Sequence, residues 1–318
     1  MRLEALSVGC DATMTHFNGR VHSVFPRACN VGVKHGGLLT LVASEKENLP
    51  QGIRVRAPSG FSFLHDLREG QPVACRGGVI RFAGGALSVD LRMARLWHAD
   101  LTGFYEDLPL RGVACAWQER WHERWTAAWQ ELWRQRREDG IFIMLGRDRP
   151  ADPPLAGEVG QHVRALLHAT RDYLVDDAVV ALRPLVGLGP GLTPSGDDFI
   201  VGYLAGLWSR TTADPARLKF LGSVGGWVVE ASERTTDISR TYLRAAVAGK
   251  VSEPIATLAQ RIAQANYVAS VREAVRGAVR IGSTSGADGV LGLLLGLAVW
   301  KADGSHGPDD KDHSQLLP

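Results

Sequence analysis

The chain of 318 residues is poor in the features that usually give a function class away. It has four cysteines, Cys10, Cys29, Cys75 and Cys115, widely spaced and without a Cys-x-x-Cys, so no zinc ribbon or redox dithiol is written into it. They read as buried or free thiols of a reducing compartment rather than as disulfides. Net charge is scarce, +2 with histidine neutral, which leaves no broad electrostatic footprint for nucleic acid or an acidic membrane. Long apolar runs are missing too. The longest, Gly289 to Trp300, falls well short of the roughly 20 residues of a membrane helix. Met1 to Cys10 has no apolar core of a signal peptide, so a cytoplasmic location is expected. A small anionic ligand needs only a local cluster, and that class stays open.

What the chain does have is a repeat. The stretch Gly187-Leu188-Gly189-Pro190-Gly191-Leu192-Thr193-Pro194-Ser195-Gly196-Asp197-Asp198 is answered ninety residues later. Ser195, Gly196, Asp198, Gly202, Leu204, Gly206 and Leu207 find their own types again at Ser285, Gly286, Asp288, Gly292, Leu294, Gly296 and Leu297, while Asp197 has Ala287 opposite it. Each copy reads as a polar loop running into a buried helix, Phe199 to Trp208 and Val290 to Trp300, with Ser195 or Ser285 at the N-cap. Glycines four apart inside each helix cost about 1 kcal/mol apiece against alanine, which close backbone approach would return. Each glycine face is therefore expected against another helix. If the two helices pair in parallel, their N-termini converge on one anion site; an antiparallel pair would separate the sites.

Two readings of these loops stay open on the residues alone. Ser-x-x-Asp is a capping box, so Ser195 with Asp198 and Ser285 with Asp288 could simply finish helices. Capping does not require Gly189, Pro190, Gly191, Thr193, Pro194 or the second acid at Asp197. A Gly/Pro loop presenting hydroxyls, amides and adjacent acids suits a polar small molecule or a hydrated Mg²⁺, with Asp197, Asp198 and Asp288 as candidate ligands. It is no nucleotide fingerprint: no Lys-Ser/Thr follows the glycines, and Gly187-x-Gly189-x-Gly191 lacks the Rossmann spacing.

The chain around the repeat suggests an α+β architecture. Residues 1–100 are expected to form a β-rich domain, a small antiparallel barrel or sandwich, with strands at Gly37 to Val42, Ile53 to Arg56, Val73 to Cys75, Val79 to Phe82 and Leu87 to Leu91 cut by glycine pairs. Residues 101–154 hold a connecting helix and a Pro-rich linker. In that helix Trp117, Trp121, Trp125, Trp129 and Trp133 recur every four residues, a stripe that winds around the helix and suits packing over a curved surface, with the intervening arginines and glutamates in water. A partner interface is the other reading of the stripe. A mainly helical domain is expected over 155–302, with helices at Glu158 to Leu174, Asp177 to Leu182, Val224 to Gly249 and Ile255 to Ile281, the last two each open to a break. Residues 303–318 read as a disordered tail. Thr235, Thr236 and Ser239 place hydroxyls on one side of a helix, either back-bonded or facing the site. Arg183, Arg240 and Lys34 are candidate basic partners for an anion or for the acids.

GLGPGLTPSGDD before an apolar helix resembles the signature of a bacterial family that includes AllH, a subunit of oxamate carbamoyltransferase. Arg20-Val21-His22-Ser23-Val24-Phe25 with Asn30, Thr236-Asp237-Ile238-Ser239 with Leu243 and Gly249, and Thr284-Ser285-Gly286-Ala287-Asp288 look like further motifs in family order. Members often carry histidine where this chain has Ser283, which removes any imidazole role there. The resemblance implies a cytoplasmic carbamoyltransferase subunit, acting on carbamoyl phosphate and oxamate or a similar small anionic amide in allantoin breakdown, with two other kinds of subunit and no nucleic acid or membrane partner. On that basis His22, Asp198 and Asp288 are the expected catalytic groups. Asn30, Gly189, Gly191, Thr193, Ser195, Gly196, Asp197, Ser239, Thr284, Ser285 and Gly286 would contact substrate, the first-domain residues near His22 and Asn30 closing the site. The alternatives are a non-catalytic assembly or ligand-sensing subunit and, third, a metal-dependent hydrolase.

Overall fold

The structure, a computed structural model, describes residues 1–12, 16–33, 37–99, 101, 114–135, 140–145, 157–211 and 214–300, and of 114–118, 143 and 144 the backbone alone. Lys34, the linker at Pro150 to Pro154, the side chain of Trp117 and the tail from residue 303 lie outside the described residues. The chain divides into two compact units, Met1–Ala99 with Lys250–Glu253, and Asp100–Gly249 with Pro254–Pro318.

The first unit is a barrel. Its strands are β1 (Arg2–Gly9), β2 (Phe17–Val24), β3 (Ala28–Val33), β4 (Gly37–Ala43), β5 (Gly52–Val55), β6 (Pro72–Arg76), β7 (Val79–Phe82), β8 (Ser88–Asp90) and β9 (Arg95–Trp97), with one short helix, α1 (Phe63–Asp66). Pairing runs β5-β4-β3-β2-β6-β7-β8-β1 and returns from β1 to β5, so eight strands close and β9 is added beside β1. Alternate residues such as Val21, Cys29, Val31, Leu41, Ile80 and Phe82 fill the interior, the period-two pattern of a strand with one buried face. Gly77-Gly78 turns β6 into β7 with both φ positive, the backbone a two-residue hairpin demands. The expected antiparallel barrel is corrected in one respect: β4 runs parallel to β5, and β1 parallel to β8 and β9. A closed ring of eight strands must contain an even number of parallel steps. Once β4 and β5 are parallel, β1 beside β8 supplies the second.

The helices of the rest of the chain are α2 (Ala114–Gln135), α3 (Ile141–Met144), α4 (Glu158–Arg171), α5 (Val175–Leu182), α6 (Ser195–Arg210), α7 (Pro215–Ala231), α8 (Asp237–Val247), α9 (Glu253–Gln264), α10 (Val268–Val279) and α11 (Ser285–Val299). The long Val224 to Gly249 segment breaks at a 3-10 turn, Ser232–Arg234, before α8, and Ile255 to Ile281 breaks between α9 and α10. No helix among the described residues is long and apolar enough to cross a membrane. At the centre lie α6 and α11, buried on nearly every face, as helices apolar all round must be.

The tryptophan helix α2 packs on α10 and α11 within this unit. Trp125 and Trp129 stack at 5.3 Å, Trp129 meets Trp133 edge-on at 5.7 Å, and the Trp125 indole N–H donates to the Leu294 carbonyl at 2.9 Å. Trp125 and Trp129 are thus core, with Trp121 and Trp133 half-buried on either side of them. The expectation that the charged residues between the indoles face water fails at two places. Arg124 is buried and donates to the Ala265 carbonyl, and Glu131 is buried beside Arg276, which donates to it at 2.7 Å.

Candidate functional site

The four helix glycines bring α6 and α11 together. A methyl group on Gly202 would stand 1.9 Å from the Gly289 carbonyl oxygen, and one on Gly292 2.1 Å from that of Phe199. Gly206 meets the Leu293 carbonyl and the Leu297 amide, and Gly296 the Tyr203 carbonyl. Contacts advance along both helices in the same direction, so the pair is parallel. Gly202 on Gly289 and Phe199 on Gly292 are the same contact with the two copies exchanged, because position 199 corresponds to 289 and position 202 to 292. The helices are related by a local two-fold axis running along the pair.

Parallel packing makes the N-termini meet. The hydroxyls of Thr193 and Ser285 share a hydrogen bond of 2.8 Å, and those of Ser195 and Thr284 approach to 3.4 Å. Four hydroxyls from two loops therefore form one cluster at the head of the helix pair. The capping-box reading is corrected here. The N-caps are Pro194 and Thr284, neither with a side-chain cap bond, and Ser195 and Ser285 open the helices themselves. The Asp198 and Asp288 amides donate to the Pro194 and Thr284 carbonyls.

The repeat reaches further back than side-chain identity reveals. Leu188 N–H donates to the Leu185 carbonyl and Gly196 N–H to that of Leu188; Ile281 N–H donates to the Ala278 carbonyl and Gly286 N–H to that of Ile281. Gly189 and Gly282 follow with φ of 105° and 64°. Methyl groups on Gly196 and Gly286 would strike the Leu185 and Ala278 carbonyl oxygens at 2.0 and 2.1 Å. Each unit is thus helix, turn, loop and helix, α5 to α6 and α10 to α11. The loops differ in length: seven residues, 189–195, against four, 282–285, which leaves a three-residue excess in the first copy.

The three acids have different surroundings. Asp197 is 1% exposed, one oxygen accepting from Gly187 N–H at 2.8 Å and the other from the Thr235 hydroxyl. Burial raises its pKa, against the pull of Thr235, Gly187 and Ser239. Asp288 is fully buried and its Oδ1 accepts from Ile141 N–H at 3.0 Å, at the start of α3. Asp198 lies between the copies. Burial pushes its pKa up to about 8, the Ser285 and Thr193 hydroxyls pull it down, and the neighbouring Asp288 and Asp197 charges push it further up. With a pKa of about 8, Asp198 is mainly protonated at neutral pH. Among the described residues no group of three or more His, Cys, Asp or Glu side chains is placed to hold a metal ion.

A third helix clamps the longer loop. Thr235 holds Asp197, and through it Gly187; the Thr236 hydroxyl donates to the Leu192 carbonyl at 2.5 Å while accepting from Ser239 N–H at 3.1 Å. Thr236 is therefore the N-cap of α8 and stands before the helix, where the spacing had placed it inside one. Ser239 is buried in the first turn. Thr235 and Thr236 were legible only as hydroxyls of uncertain use; a Thr three residues ahead of Ser239 was the available cap signal. Arg183 ends α5 exposed, and Arg240 is held by Asp237 at 3.0 Å and Glu233 at 3.5 Å. Neither arginine pairs with the three acids.

His22 and Asn30 belong to the first unit. Val21 pairs with Val31 and Ser23 with Asn30, so His22 is the extra residue of a β-bulge in β2. Asn30 is buried, donates from Nδ2 to Ser23 Oγ at 3.0 Å and accepts at Oδ1 from the Thr40 hydroxyl at 2.9 Å. His22 Nδ1 lies 3.2 Å from Ser23 Oγ. Thr40 carried no sequence signal at all.

Two family profiles match the chain. One, described as oxamate carbamoyltransferase subunit AllH, matches residues 185–297, from the turn before the first loop to the last turn of α11. The other, described as the AllH family N-terminal domain, matches residues 4–96 and spans the barrel. No solved structure matches.

Proposed function

The chain belongs to the AllH family, and from that membership we propose that it is a carbamoyltransferase subunit whose hydroxyl cluster at the head of α6 and α11 binds a small anionic amide or acyl phosphate, with oxamate and carbamoyl phosphate as the substrates. The reading includes two further kinds of subunit in the working enzyme. Its main support is the 2.8 Å meeting of Thr193 and Ser285, which gathers hydroxyls from both repeats over a carboxyl group that holds a proton. Two N-terminal dipoles favour negative charge at that point. A neutral Asp198 removes the repulsion that an ionised carboxylate would exert on an anionic substrate and adds an O–H donor.

In the reaction proposed, the amide nitrogen of oxamate bonds to the carbamoyl carbon, the bond from that carbon to the phosphate oxygen breaks, and the nitrogen loses a proton. Such a transfer needs oriented substrates and donors for the developing oxyanion more than a covalent nucleophile. Thr193, Ser195, Thr284, Ser285 and Asp198 are the donors, and Gly189 and Gly191 let the loop backbone approach. Asp197 and Ser239 hold these groups in place, and Asp288 holds α3 against the pair.

Calorimetric titration of the purified chain with carbamoyl phosphate and with oxamate, each with and without Mg²⁺, tests the proposal. One ligand should bind, and Ser285→Ala should weaken it at least about tenfold, the loss of a charged hydrogen bond. A second reading, an assembly or ligand-sensing subunit, draws on the fact that the Gly196 and Gly286 amides and both Asp197 oxygens are taken by the chain itself. It gains if the folded chain gives no heat with either ligand yet the partner subunits need it for turnover.

A further inference from the structure

Ser23, Asn30 and Thr40 stand side by side on three adjacent strands. Ser23 pairs directly with Asn30 across β2 and β3, and Asn30 with Thr40 across β3 and β4. Their side chains are 8%, 5% and 7% exposed, and Asn30 and Thr40 alternate with the residues that fill the barrel. A polar row buried on the side of the strands away from the core must satisfy itself. It does so with a direction. Thr40 O–H donates to Asn30 Oδ1, which fixes the amide so that Nδ2 points to Ser23 and donates to its oxygen. Ser23 has one proton, and the remaining neighbour 3.2 Å away is His22 Nδ1. In a regular strand residues 22 and 23 would face opposite ways; the bulge turns His22 to the same side as Ser23.

We infer that Thr40, Asn30 and Ser23 are positioning residues that hold the exposed His22 imidazole as the tautomer with Nδ1 accepting and the ring proton on Nε2. The inference concerns the orientation of His22 and does not depend on the proposed function. A ring so held keeps its proton on Nε2, while Nδ1 is committed to the strand row. Asn30 supplies the direction. A carboxylate in its place accepts from both neighbours, so Ser23 would donate to it and would take the proton of His22 Nδ1 instead.

The test is nitrogen NMR of the full chain labelled with ¹⁵N-histidine, recorded at alkaline pH where imidazole is neutral, with His22 assigned by its loss in His22→Gln. The wild type should show an unprotonated Nδ1 and a protonated Nε2. Asn30→Asp should invert the pair, and Ser23→Ala should leave an averaged signal. A protonated Nδ1 in the wild type overturns the inference, and so does an Asn30→Asp spectrum identical to wild type in a protein with unchanged circular dichroism. If Asn30→Asp fails to fold, the wild-type spectrum with Ser23→Ala decides.

Discussion

Asp198 holds a proton that a carboxyl group in water gives up well below neutral pH. Burial is the main cause, and it lifts the pKa from 3.8 to about 8 over the opposition of two hydroxyls. The unfolded chain releases that proton in the ordinary carboxylate range, so the stability attached to it is complete below that range and is lost as pH rises through about 8. Wild-type melting temperature should therefore fall between about pH 5 and pH 9 more steeply than that of Asp198→Asn, whose amide has no proton to lose, and the variant should be the more stable at the alkaline end. Parallel curves would mean that Asp198 titrates normally. Ligand binding by the wild type should weaken over the same alkaline limb. The sequence marked all three acids as chemical, yet it could not divide their work. Ser-x-x-Asp is identical in the two copies, and what separates Asp198 from Asp288 and Asp197 is Ile141, Gly187 and Thr235, all of them outside that pattern.

The glycine pairs of α6 and α11 were legible as a demand for close contact because each interior glycine is a local cost that only a neighbour can offset. Direction was not legible, since parallel and antiparallel pairs ask for the same glycines. In the barrel, glycine turns and alternation marked β4 to β8, while the parallel steps depend on pairings between distant strands that no local pattern encodes. What lies against each glycine separates those that matter from those that do not. Gly202→Ala and Gly292→Ala drive a methyl carbon into backbone, which no rotamer relieves, and each should cost about 3 kcal/mol by chemical denaturation. Gly289→Ala, on the same helix, meets nothing nearer than Ile255 Cδ1 at 3.5 Å, so its gain of about 1 kcal/mol in helix propensity should leave it neutral or stabilised. Equal losses at all three positions would mean that the helices do not pack as described.

Across the whole helical unit, the two helix-loop-helix copies agree in turn, glycine, amide bonds and helix contact, and differ by Pro190, Gly191 and Leu192. With those three removed, Leu188-Gly189-Thr193-Pro194-Ser195-Gly196 would align with Ile281-Gly282-Ser283-Thr284-Ser285-Gly286 residue for residue. The shorter second loop starts α11 without them, so helix initiation does not require the excess. All three are exposed, and their fixed point is the Leu192 carbonyl bonded to Thr236 of the α8 cap. A segment that the fold can do without and that a third helix nevertheless holds is better explained by a ligand than by stability. Deleting residues 190–192 should therefore keep the melting temperature within a few degrees of wild type while abolishing the heat of ligand binding; Thr236→Ala, which frees the same segment without shortening it, should weaken binding by less. If the deletion binds as tightly as wild type, the excess loop is not part of the site and the shared hydroxyl cluster must act alone. If it unfolds while Thr236→Ala remains folded and binds normally, the three residues serve the packing of α8 on α6, and the ligand reading of the longer loop falls.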